Sequence, residues 1–517
     1  MLESVKEFTP GIPPVEVSNP VEMPYSGSPE YAQLQFVSSN VSKWLTSETL
    51  ASMFEGQRYF DNENDIFKRQ MKVIGKDGIL QVAEYLANNK LSHAFLRKLT
   101  KQKIGYLLSK PFTVKSNSED FQTLLANYIN SSFYRLLRNT GEEAVIGGIS
   151  WIQPYYTEEG ILAFKHIPGT QIIPFWKDAD HTQLERAIRI YEVDIYEGAT
   201  KRTERHIKLY TPEAVYNYID VGGLLLVNPT TPVEYNFVLK TDIPLEGTGI
   251  ISVPLDAEDV ATEHAYSVMW NRIPLIPVKY NSKEKPLLKF IKPLIDDYDS
   301  RTSDMANVLE DEPNRIKVVR NYDGTSKDDF IYNLAKYRTV FLRDNGEIST
   351  LESNISVDAL EKHLVRLRKD IFEFGGGVDT QNQDLAAASG SSLKFVYADL
   401  DMDCAEFAIE LSWALEEIAW FIKQDLTLKG FGQFSDVNFG VEFNTDIAIN
   451  ETETVENLFK SVGMISTRTI LEQHPYVTDA IEEEKRMKID QAEQLVQLKK
   501  EVDITAAATA TQPPANV

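Results

Sequence analysis

Apolar residues recur by alternating threes and fours along two stretches between Ser356 and Gln424. The first carries Val357, Leu360, Leu364, Leu367, Ile371 and Phe374; the second carries Leu393, Tyr397, Leu400, Cys404, Phe407, Leu411, Ala414, Ile418 and Phe421. That spacing lays one apolar stripe along one side of a helix. It predicts two long helices, about 27 Å and nearly twice that in length at 1.5 Å per residue. Ser356 is placed to cap the first, with Asp358 in its first turn. Gly375, Gly376 and Gly377 end it, because glycine is costly in a helix and free to take left-handed caps. A third helix precedes them, with Pro293 at its first position and Pro313 as its stop. Taken alone, such helices fit a plain hairpin buried in a core.

The rest of the chain divides by pattern. Residues 1–40 are rich in Pro, Ser and Glu without periodicity and read as an extended arm. Helices take over from Val41. Between Asn88 and Pro111 the residues Phe95, Leu99, Ile104 and Leu108 form an apolar face, and Lys98, Lys101 and Lys103 read as a solvated or intersubunit face. A further helix is expected over Phe121–Thr140. Gly147 and Gly148 lack the Gly-Lys-Ser/Thr that a phosphate loop needs, so they are read as a close-packed helix-to-strand junction. Alternating β-branched and aromatic residues then predict antiparallel strands at Trp151–Tyr156, Ile161–His166, Gln171–Trp176, Ala187–Asp194, Arg205–Tyr210, Ala214–Tyr218 and Leu224–Val227. Thr231–Thr262 is acidic and poorly periodic, an insertion. Pro274 and Pro277 mark the next strand as an edge.

Between Pro313 and Ser356 a small unit reads as strand (Arg315–Arg320), helix (Lys327–Tyr337) and hairpin, with Thr339–Arg343 pairing Glu347–Leu351 across Asp344, Asn345 and Gly346. Beyond the long helix come a strand at Val437–Phe443 and helices at Thr454–Val462, Ser466–Glu472 and Ala480–Val502. Ala506–Val517 is expected to be disordered. The fold class is α+β, mainly helical.

Composition narrows the function. No run of about 18 apolar residues exists to span a membrane, and Met1–Glu7 does not open like a secretory signal. The one cysteine, Cys404, lies on an apolar stripe and reads as a core residue. The net charge of −24 is the wrong sign for a tight nucleic-acid binder. It fits a soluble protein, or a conduit whose acidic walls let DNA slide.

Candidate chemistry is sparse. His166, His181, Asp178 and Asp180 lie close in sequence and read as loop polarity, with a metal site the alternative. Asp296, Asp297 and Asp299 crowd one helix like a nuclease cluster, but neighbouring helical positions diverge, which favours a solvated or channel-facing surface. Neither a zinc motif, a nucleophile elbow nor an ATP-binding loop is present. No cofactor or metal is expected, and no enzyme activity.

The order of these elements, with Leu294–Asp299, Phe372–Thr380, Gly105–Leu107, Lys110–Val114 and Phe164–Trp176, resembles the portal (head-to-tail connector) proteins of long-tailed double-stranded DNA bacteriophages, from about Trp44 to Glu484. The resemblance implies a portal fold: N-terminal arm (1–40), wing (41–285), first stem helix (286–312), clip (313–355), second stem helix (356–374), tunnel loop (375–392), long wing helix (393–430), wing strand (431–450), crown (451–502) and tail (503–517). It implies a homo-oligomeric ring of about twelve subunits closed by a heterologous interface. Double-stranded DNA would pass through without being tightly bound. The implied partners are the large terminase subunit, which supplies the ATP-driven motor, the head-tail adaptor, and the major capsid and scaffolding proteins, with no membrane. The place would be the virion's portal vertex, reached from the host cytoplasm.

The implied tunnel-loop residues are Gly375, Gly376, Gly377, Thr380, Gln381, Asn382, Gln383, Asp384, Ser389, Ser391 and Ser392, with the glycines as a mobile hinge. The clip would present Arg315, Lys317, Arg320, Tyr322, Lys327, Arg343 and Asn345 to motor and adaptor. The stem would carry Asp296, Asp297, Asp299, Lys362, Arg366 and Lys369. Basic residues near the loop, with Arg368 and Lys394 among them, stay open between DNA and subunit contacts. The rival readings are a metal-dependent nuclease built on the Asp296 cluster and a non-channel capsid scaffold or adaptor.

Overall fold

In a computed structural model, residues 27–74, 78–84, 86–157, 160–198, 200–229, 231, 233–234, 237–241, 252–254, 264–268, 270, 272–311, 317–322, 326, 328, 330, 332, 342–350, 357–381, 396–444, 451–477 and 480–509 are described. The chain forms two compact units, residues 1–379 with 399–446, and residues 380–398 with 447–517. Helix accounts for 49% and strand for 23%, in keeping with a mixed fold in which helix predominates.

The first unit opens with α1 (Pro29–Leu45) and α2 (Glu48–Phe60). The helical part therefore begins before Val41. Ser28 caps α1, accepting from the Tyr31 N–H, and Pro29 sits in its first turn. Those are start signals, which an extended arm of prolines had absorbed. A hairpin follows, β1 (Lys72–Ile74) with β2 (Leu80–Val82), then α3 (Phe95–Leu108) and β3 (Thr113–Ser116).

The single helix expected over Phe121–Thr140 is two, α4 (Glu119–Leu125) and α5 (Ser131–Gly147). Asn130 divides them, because its side chain caps α5 at the Ser132 and Phe133 N–H groups. Gly148 closes α5 at φ 89°, where a Cβ would overlap the Glu284 carbonyl. The close-packed junction read from the sequence is there.

Strands β4 (Ile149–Tyr156) and β5 (Leu162–Ile167) pair with each other, and β15 (Ile276–Lys279) adds to the free side of β4. Being an edge, β15 tolerates Pro277. The larger sheet runs β10-β9-β8-β7-β6, with a short β11 (Val233–Glu234) on β9. Its members are β6 (Ile172–Trp176), β7 (Leu184–Glu197), β8 (Thr200–Tyr210), β9 (Val215–Val221) and β10 (Leu224–Val227), all antiparallel. The stretch read as an unstructured insertion contains β12 (Phe237–Thr241) and β13 (Ser252–Pro254), which flank β14 (His264–Val268). Their shared partner lies beyond the stretch, where a local pattern cannot find it.

Two cores fix this half. Leu34, Val37 and Val41 of α1 press on Ile188, Ile207 and Leu209 of the large sheet. Met53 of α2 meets Trp151, Ile167, Ile172 and Leu275.

Helix α6 (Leu288–Asp311) holds Pro293 inside it rather than at its start. The first turn is tight, with Lys289 and Phe290 N–H donating to the Pro286 and Leu287 carbonyls; Pro293, at the sixth position, leaves the helix without one i→i−4 donor there. β16 (Lys317–Tyr322) pairs with β17 (Leu342–Thr350). Asp344, Asn345 and Gly346 lie inside β17 instead of turning a hairpin. The register shifts there, Arg320 facing Glu347 and Tyr322 facing Leu342, and Asn345 takes φ 65°. The left-handed tolerance of Asn next to Gly serves a bulge. Most of the helix expected at Lys327–Tyr337 lies outside the described residues.

Helices α7 (Val357–Phe374) and α8 (Ala398–Leu428) are the pair first read from the apolar spacing. β18 (Phe439–Glu442) returns to pair with β3. The second unit contains α9 (Glu451–Lys460), α10 (Thr467–Glu472) and α11 (Ala480–Thr509). Ser466 caps α10. Helix α11 runs on past Val502 into the stretch expected to be disordered, since Ala506, Ala507 and Ala508 are strong helix formers.

Candidate functional site

The best-defined polar arrangement lies where α7 ends. Gly375 N–H donates to Ile371 O at 3.0 Å and Gly377 N–H to Phe372 O at 2.8 Å, closing the helix with Gly376 at φ 54°. One face of α3, made by Leu99, Gln102, Lys103 and Tyr106, receives this turn at helical spacing. A Cβ on Gly375 would sit 2.7 Å from Leu99 Cδ1, and one on Gly377 would overlap Leu99 outright. Gln102 donates to Val378 O at 2.7 Å and accepts from Val378 N–H at 3.1 Å. Arg368 of α7 reaches forward to Asp379 through Nε and a terminal N–H at 2.5 and 2.7 Å. The three glycines are packed here against Leu99 and Lys103 of α3 and Asp403 of α8.

Lys103 joins this turn to α8. Its Nζ donates to Gly376 O at 2.8 Å and to Asp403 Oδ2 at 2.7 Å, and its side chain is completely buried. Tyr280 hydroxyl donates to the same carboxylate at 2.9 Å, and Tyr106 hydroxyl to Asp401 at 2.7 Å. Burial, then the adjacent Asp403 charge, hold the Tyr280 phenol far above its usual range, so it remains a donor. Cys404 is fully buried next to this carboxylate, and burial pushes its thiol up to about 12. It is an inert core residue, as its place on the stripe implied. Lys103 was read as surface. A lysine four residues from Leu99, on the apolar side of the helix, was the signal to the contrary.

The remaining candidate residues fall apart into separate local arrangements. Asp299 is buried rather than solvated, accepting from His93 N–H at 3.0 Å, Asn64 Nδ2 at 2.6 Å and standing 2.7 Å from His93 Nδ1. Asp296 takes the Tyr59 hydroxyl and Lys292, and Asp297 takes Arg301 and His363. Three carboxylates with three partner sets do not converge on one ion. No group of three or more His, Cys, Asp or Glu residues poised for a metal occurs among the described residues. Lys362 pairs with Asp358 at 2.7 Å, Arg366 lies 3.8 Å from Asp370, and Lys369 is exposed.

His166 is half-buried against Ser150 Oγ at 2.8 Å, and burial lowers its pKa to about 4. His181 stacks on Trp176 and meets Glu284 at 2.7 Å, while Asp178 caps the Thr182 and Gln183 N–H groups. These are separate structural roles. Of the clip candidates, Arg320, Arg343 and Asn345 are exposed on the β16–β17 pair, and Lys317 and Tyr322 belong to β16. Arg315, Lys327, Asn382, Gln383, Asp384, Ser389, Ser391, Ser392 and Lys394 lie outside the described residues, while Thr380 and Gln381 are at the edge of the described turn.

The family described as Phage portal protein, SPP1 Gp6-like, matches residues 46–497. The chain is similar to the portal protein of Bacillus phage SPP1, 27% identical over 447 residues, covering 86% of this chain and 84% of the relative. It is also similar to the portal protein of Clostridium phage phiCD119, 25% identical over 449 residues, covering 84% and 91%. Among solved structures, a chain from the neck of a native gene transfer agent particle, computed with C12 symmetry, aligns over 74% of this chain and 89% of its own, with a TM-score of 0.39 and 9% identity. That overlap is too low to carry an argument. The match to the family spans far more than half of the chain, through both the clamp at the end of α7 and the helices it joins: this protein belongs to the phage portal protein family, SPP1 Gp6-like, and its role is that of a capsid portal.

Proposed function

We propose that the chain is one subunit of a closed ring of about twelve copies, through which double-stranded DNA enters, is held in, and leaves one capsid vertex. Portal proteins form oligomeric rings at the capsid vertex and are part of the virion. The finer assignments extend this. Residues 286–312 and 356–374 form the stem, 313–355 the clip that docks the large terminase subunit and later the head-tail adaptor, and 451–502 the crown. The wing (41–285 and 393–450) meets capsid and scaffolding proteins. Residues 375–392 line the channel, anchored at their start by α3.

One observation carries the reading: apolar side chains stand exposed on helices whose other faces are packed. Val365 is 70% and Phe374 62% exposed on α7, and Met402 and Ile409 are 66% and 70% exposed on α8. A subunit in a ring covers such surface with its neighbours. The acidic balance suits a channel that touches DNA without gripping it.

Purified protein examined by native mass measurement and particle imaging is expected to give closed rings with a central hole. Monomer alone at micromolar concentration refutes the ring. Duplex DNA should bind weakly and let go as salt rises; tight, sequence-selective binding in high salt would make the protein a DNA reader instead. With Mg²⁺ present the DNA should remain intact.

A further inference from the structure

We infer that Lys103 is a positioning residue for portal function: its buried ammonium holds the end of α7 and the first turns of α8 at a fixed separation. The inference rests on the channel reading above, since it concerns the two fixed points between which residues 380–398 run.

Three observations lead to it. First, Lys103 grips both sides at once. Gln102 grips the turn at Val378 and Tyr106 grips α8 at Asp401, but the Lys103 Nζ bonds Gly376 O and Asp403 Oδ2 together. Second, the approach is close. A Cβ on Gly376 would stand 3.0 Å from both Lys103 Nζ and Asp403 Cβ, and its φ of 54° also favours glycine. Third, Lys103 is fully buried while its partner Asp403 keeps 30% exposure, and the packing around the lysine is largely apolar. The neighbours on α3, Leu99, Ile104 and Leu107, are fully buried apolar residues. Replacing both members of a buried ion pair with neutral groups of like shape is often neutral or stabilising. What the pair adds over an apolar filling is a defined separation, because an ammonium with a fixed carbonyl on one side and a carboxylate on the other tolerates little sliding. Tyr280 fixes that carboxylate from the opposite side at 2.9 Å.

The test uses the full-length protein and two variants, Lys103→Met and the double variant Lys103→Met/Asp403→Asn. The double variant removes both charges at nearly constant volume and leaves Tyr280 an acceptor. Ring yield and denaturation midpoint are read first, then amide exchange at Gly376–Val378 and at Asp399–Asp403, then DNA-filled capsids in complementation. We expect the double variant to fold and assemble like the wild type, while exchange rises about tenfold at both ends and filled capsids fall about tenfold. Lys103→Met alone, which leaves Asp403 with Tyr280 as its remaining partner, should show the same exchange change with a lower midpoint. Wild-type exchange at either end, or wild-type filling, overturns the inference. So does a double variant that cannot assemble, which would make Lys103 a structural residue. Wild-type protein that neither forms rings nor fills capsids sinks the channel reading instead, whatever the exchange rates are.

Discussion

Helices α7 and α8 carry apolar stripes of the same period, yet the chain treats them differently. Along α8 every described stripe position from Leu400 to Phe421 is buried, joined by Leu415, Ile422 and Leu426. Along α7 the buried stripe positions are Leu367 and Ile371, joined by Phe372, while Leu360 and Leu364 are half-covered and Phe374 is exposed. The period says which side of a helix is apolar. It does not say whether this chain or another copy covers that side. In the proposed ring, the uncovered stripe is surface for a neighbouring copy.

The contrast can be broken first at α8. Phe407→Ala, in the fully buried stripe, should cost ~3–5 kcal/mol of subunit stability, seen in urea unfolding, with ring yield falling because the subunit fails. If the loss is under ~1 kcal/mol, α8 is not the core helix described.

A pair of opposed titrations gives the next effect. Burial, with the Glu142 and Asp61 charges, raises Glu143 to about 7, well above a free glutamate. Its protonated form is favoured in the folded state, so its contribution is full below the unfolded pKa and is lost as pH rises through 7. His166, lowered to about 4 by burial, works the other way: its contribution is present above the unfolded pKa and lost as pH falls towards 4. The two offset each other between about pH 4.5 and 7. Glu143→Gln should gain ~2–3 kcal/mol relative to wild type at pH 8 and almost nothing at pH 4.5. Taking the difference between the two proteins cancels every other group; a difference that stays level with pH refutes the assignment.

At the clamp, Gly377→Ala should cost ~1–3 kcal/mol from overlap with Leu99, and Leu99→Ala should relieve part of it in the double variant. Were the glycines a free hinge, Gly377→Ala would leave stability within ~0.5 kcal/mol of wild type. The smallest folding effect belongs to α7. Val365→Ser should change subunit stability by less than ~0.5 kcal/mol while lowering ring yield, which native mass measurement reads directly. Unchanged rings would mean that the exposed part of α7 is not covered by a neighbour.

Much of this was legible in the residues. The stripe of α8 could be read off because its burial is local to one helix, and so could the edge strand at Pro277 and the glycine junction at Gly148. Asn345 was read for the right backbone angle and the wrong partner: left-handed backbone fits a bulge as well as a turn, and the choice was made by β16. Lys103, Asp403 and Tyr280 could not be found by spacing. They are joined only when α3, β15 and α8 meet; the place of Lys103 four residues after Leu99 hints that it is buried, but not which carboxylate or carbonyl it meets. The clip and loop side chains were named through family likeness, which carries no geometry.

The distance in sequence between those partners bears on how the protein is made. Lys103 and Asp403 lie 300 residues apart, and β3 pairs with β18 across a similar span. At a synthesis rate of ~5–20 residues per second, α3 waits ~15–60 s for α8 to leave the ribosome. During that time Leu99 lacks the Gly375–Gly377 turn it packs against, and Lys103 has no carboxylate. A nascent chain in this state exposes sticky surface, and many copies are translated close together before each subunit is complete. The long helix that completes the subunit thus also sets the moment at which a new copy stops needing protection from its siblings.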